Sequence, residues 1–158
     1  MKTTIKILHW NINGIRAISK KNVYKSQLFE TYLLKQKADI IVFTETKISD
    51  DKRCNKINAL FKSYPYHYHT HAEKKGYSGV SIYSKIEPIK QLTINTDNSE
   101  GRIIAIEYNK FILIGVYIPN SGAKLLRLPY RINEWDKQFL HICRILLQII
   151  LYGLLNLF

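Results

Sequence analysis

Cysteine is scarce in this chain: Cys54 and Cys143 are the only two, and nothing in their spacing resembles a ligand set. That excludes a disulfide framework and a thiolate zinc site, and it fits a reducing compartment. Acidic residues are also few, 12 Asp+Glu against 24 Lys+Arg, which leaves a formal net charge of +12. The N-terminus lacks the apolar core of a secretory signal, so an intracellular location is expected, without a distinction between nucleus, cytoplasm or viral factory.

What is present bounds the rest. A chain of 158 residues supports one domain with a real core and is too short for two ordinary ones. A hydrophobic content of 46% argues against a disordered tail. The excess of positive charge predicts attraction to polyanions, nucleic acid first and an anionic membrane surface second. The plainer alternative is a solvated lysine-rich surface in a chain whose coding composition favours Lys, Asn and Ile.

The organising stretch is Trp10-Asn11-Ile12-Asn13-Gly14-Ile15-Arg16-Ala17. Ile5, Ile7 and Trp10 predict a strand half buried on one face, and the Asn/Gly cluster predicts its end in a turn. Such a strand delivers two amides and an arginine to its C-terminal end, where open α/β sheets usually bind ligands. Lys20 to Lys37 then reads as a helix with Tyr24, Leu28 and Tyr32 on one face. Ile40-Ile41-Val42-Phe43 reads as a strand covered on both sides, so strand, helix and strand together favour a layered α/β fold. Glu45, in Thr44-Glu45-Thr46-Lys47, stands just past this strand. Its carboxylate is either a solvated loop group or a ligand for a hard cation such as Mg²⁺.

Ser49 with Asp50 and Asp51 predicts a helix start, and Cys54, Ile57 and Phe61 its buried stripe. Tyr66 to His71 alternates, which places His67, His69 and His71 on one strand face. With no carboxylate or cysteine nearby in sequence, an exposed polar face is favoured over zinc. Residues 73–79 form a glycine-punctuated loop that is either a hairpin turn or a backbone cradle for phosphate. Residues 86–96 read as irregular. Ile103–Glu107 and Phe111–Ile118 read as a hairpin. Tyr117-Ile118-Pro119-Asn120-Ser121-Gly122 is a further polar loop at a strand end. Lys124 to Arg131 is basic with apolar interleaving, suited to a sugar-phosphate backbone or to capping a helix end. Glu134 to His141 starts a helix. From Ile142 to Phe158 the chain turns almost wholly apolar, yet it is short for a bilayer span and broken by Gln148 and Asn156. No stable membrane association is expected.

Residues 10–17 (W-N-I-N-G-I-R-A), 38–47 (A-D-I-I-V-F-T-E-T-K), 76–80 (G-Y-S-G-V) and 100–102 (E-G-R) carry a resemblance. So do 117–122 (Y-I-P-N-S-G), 127–131 (R-L-P-Y-R) and 135–136 (W-D). Over residues 4 to about 141 the chain resembles the exonuclease III family of abasic-site DNA endonucleases, within the endonuclease/exonuclease/phosphatase superfamily. The resemblance implies an α/β fold, the N-terminal part of a four-layer α/β/β/α sandwich with the C-terminal half missing. It implies a DNA-repair nuclease that hydrolyses the phosphodiester 5′ to an abasic site, with 3′–5′ exonuclease activity as a side reaction. The implied cofactor is Mg²⁺, with Mn²⁺ an alternative, and the implied partner is double-stranded DNA with abasic sites; protein partners are left open. Glu45 falls on the family's metal-binding glutamate and Asn13 on an outer-shell position. Asn11, Tyr117 and Asn120 fall on active-site residues, the last two contacting the scissile phosphate. Arg16, Tyr77, Lys124 and Arg127 fall on or beside the DNA-facing loops.

Two departures qualify this. Where some relatives carry a groove-entering arginine this chain has Ala123, followed by Lys124. It also holds no G-D-x-N motif and no Asp-His pair after residue 141, the groups that handle the attacking water in the family. The expected division is therefore a partial domain, 1–141, and an apolar tail, 142–158, of doubtful origin, a frameshift or truncation accounting for both departures. The chain alone is expected to be inactive. A retroelement-type DNA endonuclease fragment, a non-catalytic basic remnant that binds nucleic acid and a tail-anchored membrane remnant are the competing readings.

Overall fold

Two sheets lie face to face in the computed structural model, which describes residues 4–20, 28–49, 51–94 and 97–155. Strands β1 (Ile7–Asn11), β2 (Ile40–Thr44), β3 (Tyr66–Thr70) and β4 (Val80–Ser84) form the first, in the order β1-β2-β4-β3. β1 runs parallel to β2, and the other pairs are antiparallel. The second sheet is the antiparallel β5-β6-β7, from β5 (Lys90–Leu92), β6 (Ile103–Tyr108) and β7 (Phe111–Val116). Helices α1 (Ile15–Ile18), α2 (Phe29–Gln36) and α3 (Asp51–Asn58) cover the first sheet, and α5 (Asp136–Leu155) covers the second, entered through the short α4 (Leu128–Tyr130).

The period-two alternation of strands assigns each side chain to one of three apolar layers. Ile41, Phe43 and Tyr83 face the helices with Phe29, Leu33, Ile57 and Phe61. Ile40, Val42, Val80 and Ile82 face Ile104, Ile106 and Tyr108 between the sheets. Ile103, Ala105, Ile112 and Ile114 face Trp135, Ile142 and Leu146 on the last layer. All five residues of β2 are buried, as expected of a strand covered on both sides, and each large apolar side chain so buried contributes about 1.5–3 kcal/mol. Gly115 lets β7 approach the first sheet: a Cβ there would stand 3.1 Å from Val80 and 3.2 Å from Val42.

The sequence phases are corrected at three places. In β1 it is Leu8 and Trp10 that pack toward the helices, whereas Ile5 and Ile7 are exposed. Among the described residues β1 is an edge strand, and β7 lies mainly across β2 and β4, which leaves the other face of β1 exposed at Ile5 and Ile7. In α2 the buried stripe is Phe29 and Leu33, with Leu28 exposed; Tyr24 lies outside the described residues. The histidine face of β3 is not a solvent face. His69 bonds Ser81 Oγ at 2.8 Å and Asn58 Oδ1 at 3.0 Å, His71 Nε2 lies 3.4 Å from Cys54 Sγ, and His67 packs on Tyr83. The stretch read as irregular contributes the short β5.

At the other end, a π-helical turn at Arg131–Trp135 runs directly into α5, so the chain is already helical at Glu134, where the helix was expected to start. Arg131 anchors it, donating to Asp136 Oδ1 at 3.0 Å and to the Pro119 carbonyl at 2.6 Å. α5 runs without interruption across positions 141 and 142, and Ile142 and Leu146 lie in the same apolar layer as Trp135. Among the described residues no helix is long and apolar enough to cross a membrane.

Candidate active site

The C-terminal end of β1, the C-terminal end of β2 and the loop before β4 are stitched together by backbone hydrogen bonds. Ile12, Gly14 and Ile15 donate to the carbonyls of Thr44, Glu45 and Thr46 at 3.1, 2.7 and 3.0 Å. Thr46 and Lys47 donate in turn to Gly79 and Ser78 at 3.2 and 2.9 Å. Asn13, Glu45 and Lys47 all hold positive φ, +46°, +53° and +54°. Three non-glycine residues in the left-handed region within one small loop cluster are uncommon, and such strain concentrates at functional sites.

Glu45 is the centre of this cluster. Asn11 Nδ2 donates to its Oε1 at 3.0 Å, and the Tyr117 hydroxyl, arriving from the end of β7, donates to the same oxygen at 2.6 Å. Lys47 Nζ stands 3.5 Å from Oε2 and also donates to Asn13 Oδ1. The Asn11 Oδ1 accepts from the Asn13 N–H at 3.2 Å, so the amide is fixed at both ends. Burial works to raise the Glu45 pKa, but the hydrogen bonds from Tyr117 and Asn11 and the Lys47 charge hold it below its ordinary value. Glu45 is therefore an oriented carboxylate anion. Burial, reinforced by the hydrogen bond to Glu45 and its negative charge, pushes the Tyr117 phenol up to about 12, so it stays a proton donor.

A second cluster adjoins the first. The Tyr77 hydroxyl accepts from Arg127 Nη1 at 2.9 Å and from Arg102 Nη2 at 2.8 Å, and Glu100 pairs with both guanidiniums. Burial raises the Glu100 pKa, yet the bonds and charges of Arg102 and Arg127 more than offset that. Gly101 makes the arrangement possible: its φ is +58°, and a Cβ would fall 2.2 Å from the His71 carbonyl carbon.

Of the residues singled out from sequence, Asn11, Asn13, Glu45 and Tyr117 meet in one cluster, and Tyr77 and Arg127 meet in the next. Asn120 is exposed in the loop after β7, its Oδ1 capping the Gly122 N–H at 3.0 Å. Arg16 on α1 and Lys124 in the 3-10 turn Ala123–Leu125 are exposed and stand apart from the Glu45 contacts described. Sequence reasoning missed Lys47, Glu100 and Arg102 as site residues. All three lie inside motifs already marked, and the signal for Arg102 was an arginine opening a strongly apolar strand.

The fold has known relatives. The profile described as Endonuclease/Exonuclease/phosphatase family matches residues 8–149. The chain is 36% identical over 140 residues to an exodeoxyribonuclease of Bacillus subtilis, covering 86% of this chain and 51% of that protein. It is 34% identical over 139 residues to a DNA-(apurinic or apyrimidinic site) endonuclease of Dictyostelium discoideum, covering 85% of this chain and 36% of that one. The solved structure of an AP endonuclease from Archaeoglobus fulgidus superposes with a TM-score of 0.69 at 22% identity, over 88% of this chain and 51% of its own. The chain thus spans about a third to a half of the length of these relatives. With its match running over residues 8–149, the chain belongs to the Endonuclease/Exonuclease/phosphatase family.

Proposed function

We propose that this chain carries the phosphate-binding face of an exonuclease III-type DNA-repair nuclease, acting on the phosphodiester 5′ to an abasic site in duplex DNA. The observation that carries the reading is the Glu45 carboxylate, held anionic between Asn11 and Tyr117 at the meeting of three strand-end loops. A lone carboxylate with a neighbouring amide oxygen suits Mg²⁺, with Mn²⁺ an alternative, because such ions keep several waters and take substrate phosphate oxygens as ligands. Glu45 is the residue that would hold the ion, with Asn13 beyond it. When bound, the ion supplies positive charge to the phosphoryl oxygens.

The protein's own groups do the rest. Tyr117, a donor at neutral pH, and Asn120 orient the phosphate. Asn11 fixes the Glu45 rotamer. Arg127 and Tyr77 hold the sugar-phosphate backbone, and Arg16 and Lys124 extend the cationic track. No residue here is assigned to activate water, since the chain contains neither G-D-x-N nor a late Asp-His pair. Residues that act as a unit are strongly non-additive, so phosphate binding is expected to persist while hydrolysis by this chain alone is not.

Fluorescence anisotropy on matched duplexes, one intact and one with a tetrahydrofuran abasic analogue, tests the reading. Tighter binding to the abasic duplex in Mg²⁺ than in chelator, with the metal effect lost in Glu45→Gln, is the expected result. Equal affinity for both duplexes with no metal effect would reduce the chain to a basic nucleic-acid binder. Robust Mg²⁺-dependent incision, lost in Glu45→Gln, would overturn the assignment of inactivity.

A further inference from the structure

Arg102 is a cation sealed from solvent: its side chain is only 4% exposed, just ahead of β6. A buried guanidinium persists only where its donors are met. Here Nε pairs with Glu100 Oε2 at 2.5 Å, Nη1 donates to the Tyr117 carbonyl at 3.1 Å and Nη2 to the Tyr77 hydroxyl at 2.8 Å. The guanidinium carbon lies 4.6 Å from the centroid of the Tyr117 ring and 5.4 Å from that of Tyr77. The Arg102 backbone also receives the Tyr117 N–H at 2.8 Å. Tyr117 is thus held by Arg102 at its N–H, its carbonyl and its ring, and the ring so held places its hydroxyl on Glu45. On the other side, the Tyr77 hydroxyl and Glu100 receive the two ends of the Arg127 guanidinium. Arg127 is half-exposed, whereas Arg102 is sealed, so a phosphate can reach the first but not the second.

We propose that Arg102 is a positioning residue that couples the Tyr77–Arg127 grip on the DNA backbone to the placement of Tyr117 on Glu45. The proposal deepens the nuclease reading and rests on it for the identity of the ligand. A planar fork that serves three acceptors and two ring faces at once is arginine chemistry; a lysine ammonium has neither the plane nor the reach. When Arg127 engages a phosphate, its pull on Glu100 and Tyr77 changes what those acceptors offer Arg102, and Arg102 passes the change to Tyr117.

A double-mutant cycle reads the coupling. In the parent protein, Tyr117→Phe and Arg127→Ala each weaken binding of the abasic-analogue duplex by about 3- to 10-fold, the range of one hydrogen bond. Combined, they are expected to fall short of the product of the single effects, and in Arg102→Lys each effect is expected to shrink below about 2-fold. A merely structural arginine would lower stability and leave the two effects multiplicative. The second measurement needs no DNA: ¹⁹F NMR of the 3-fluorotyrosine-labelled chain, with Tyr117 and Tyr77 assigned by Phe substitution. Arg127→Ala should move the Tyr117 line in the parent and leave it in place in Arg102→Lys. Should Arg102→Lys fail to fold, Tyr77→Phe removes one of the two links between Arg127 and Arg102 while retaining the path through Glu100, and the response of the Tyr117 line to Arg127→Ala should shrink without vanishing. A Tyr117 line that responds equally in all backgrounds overturns the coupling even if DNA binding holds. Loss of DNA binding with the NMR coupling intact overturns only the nuclease reading.

Discussion

Glu100 serves two guanidiniums with one carboxylate, and its pKa is held below the ordinary 4.5 by them. The sign follows from linkage: a depressed folded-state value means the contribution to stability is present above the unfolded value. It is lost as pH falls through the folded one. Denaturant midpoints measured from neutral pH downward should therefore fall below about pH 4.5, and Glu100→Gln should flatten that limb. At neutral pH the same substitution leaves Arg102 buried without its counter-charge and should destabilise the fold by about 1–3 kcal/mol. Gly101→Ala beside it should be at least as damaging, about 2 kcal/mol or more, because a positive φ and a backbone contact at 2.2 Å act together. Chemical denaturation of the two variants against the parent checks both.

Among the elements, α5 decides whether the apolar end of the chain belongs to the fold. Leu146 is buried in the last layer and Leu147 is exposed. Leu146→Ala should cost about 2–5 kcal/mol and Leu147→Ala less than about 0.5 kcal/mol. Equal, negligible losses would detach the segment from the core. The same element shows where sequence legibility ends. β2 and β6 were readable because uninterrupted apolar runs between turn residues have one good solution, a covered strand; β7 was readable as a strand although it is only half-buried. The faces of β1 and α2 were misread because choosing among neighbouring apolar residues needs the partner layer, which lies far away in sequence. Glu45, Asn11 and Tyr117 could be marked as site residues one by one. Their convergence on one carboxylate oxygen depends on the β1–β2 register and on how β7 crosses the first sheet, neither of which is local. Arg102 stayed hidden for a related reason: composition favours reading an arginine as surface, and only the packed structure reveals it sealed between two tyrosines.

For the molecule as a whole, a net charge of +12 makes association with DNA a matter of ions as well as contacts. The logarithm of the binding constant should fall with the logarithm of salt concentration by about 0.9 for each phosphate neutralised. Lys124→Ala should lower that slope by about one and weaken intact and abasic duplexes alike, whereas Tyr117→Phe should leave the slope nearly unchanged. A salt titration of each variant separates the two roles. Among the described residues β1 stands at the edge of its sheet with Ile5 and Ile7 exposed, and a strand edge with an apolar flank is a template for pairing with a further strand.

Asn13 is followed by Gly14, the pairing most prone to lose its side-chain amide with age, because the unhindered glycine nitrogen can close a succinimide on the asparagine carbonyl. In the folded loop that nitrogen is already committed, its N–H bound to the Glu45 carbonyl at 2.7 Å, and the backbone on either side is stitched to β2. Time spent folded therefore protects Asn13, and time spent unfolded exposes it. Isoaspartate at residue 13 becomes a chemical record of how often this loop has opened, and each event sets an additional negative charge beside Glu45.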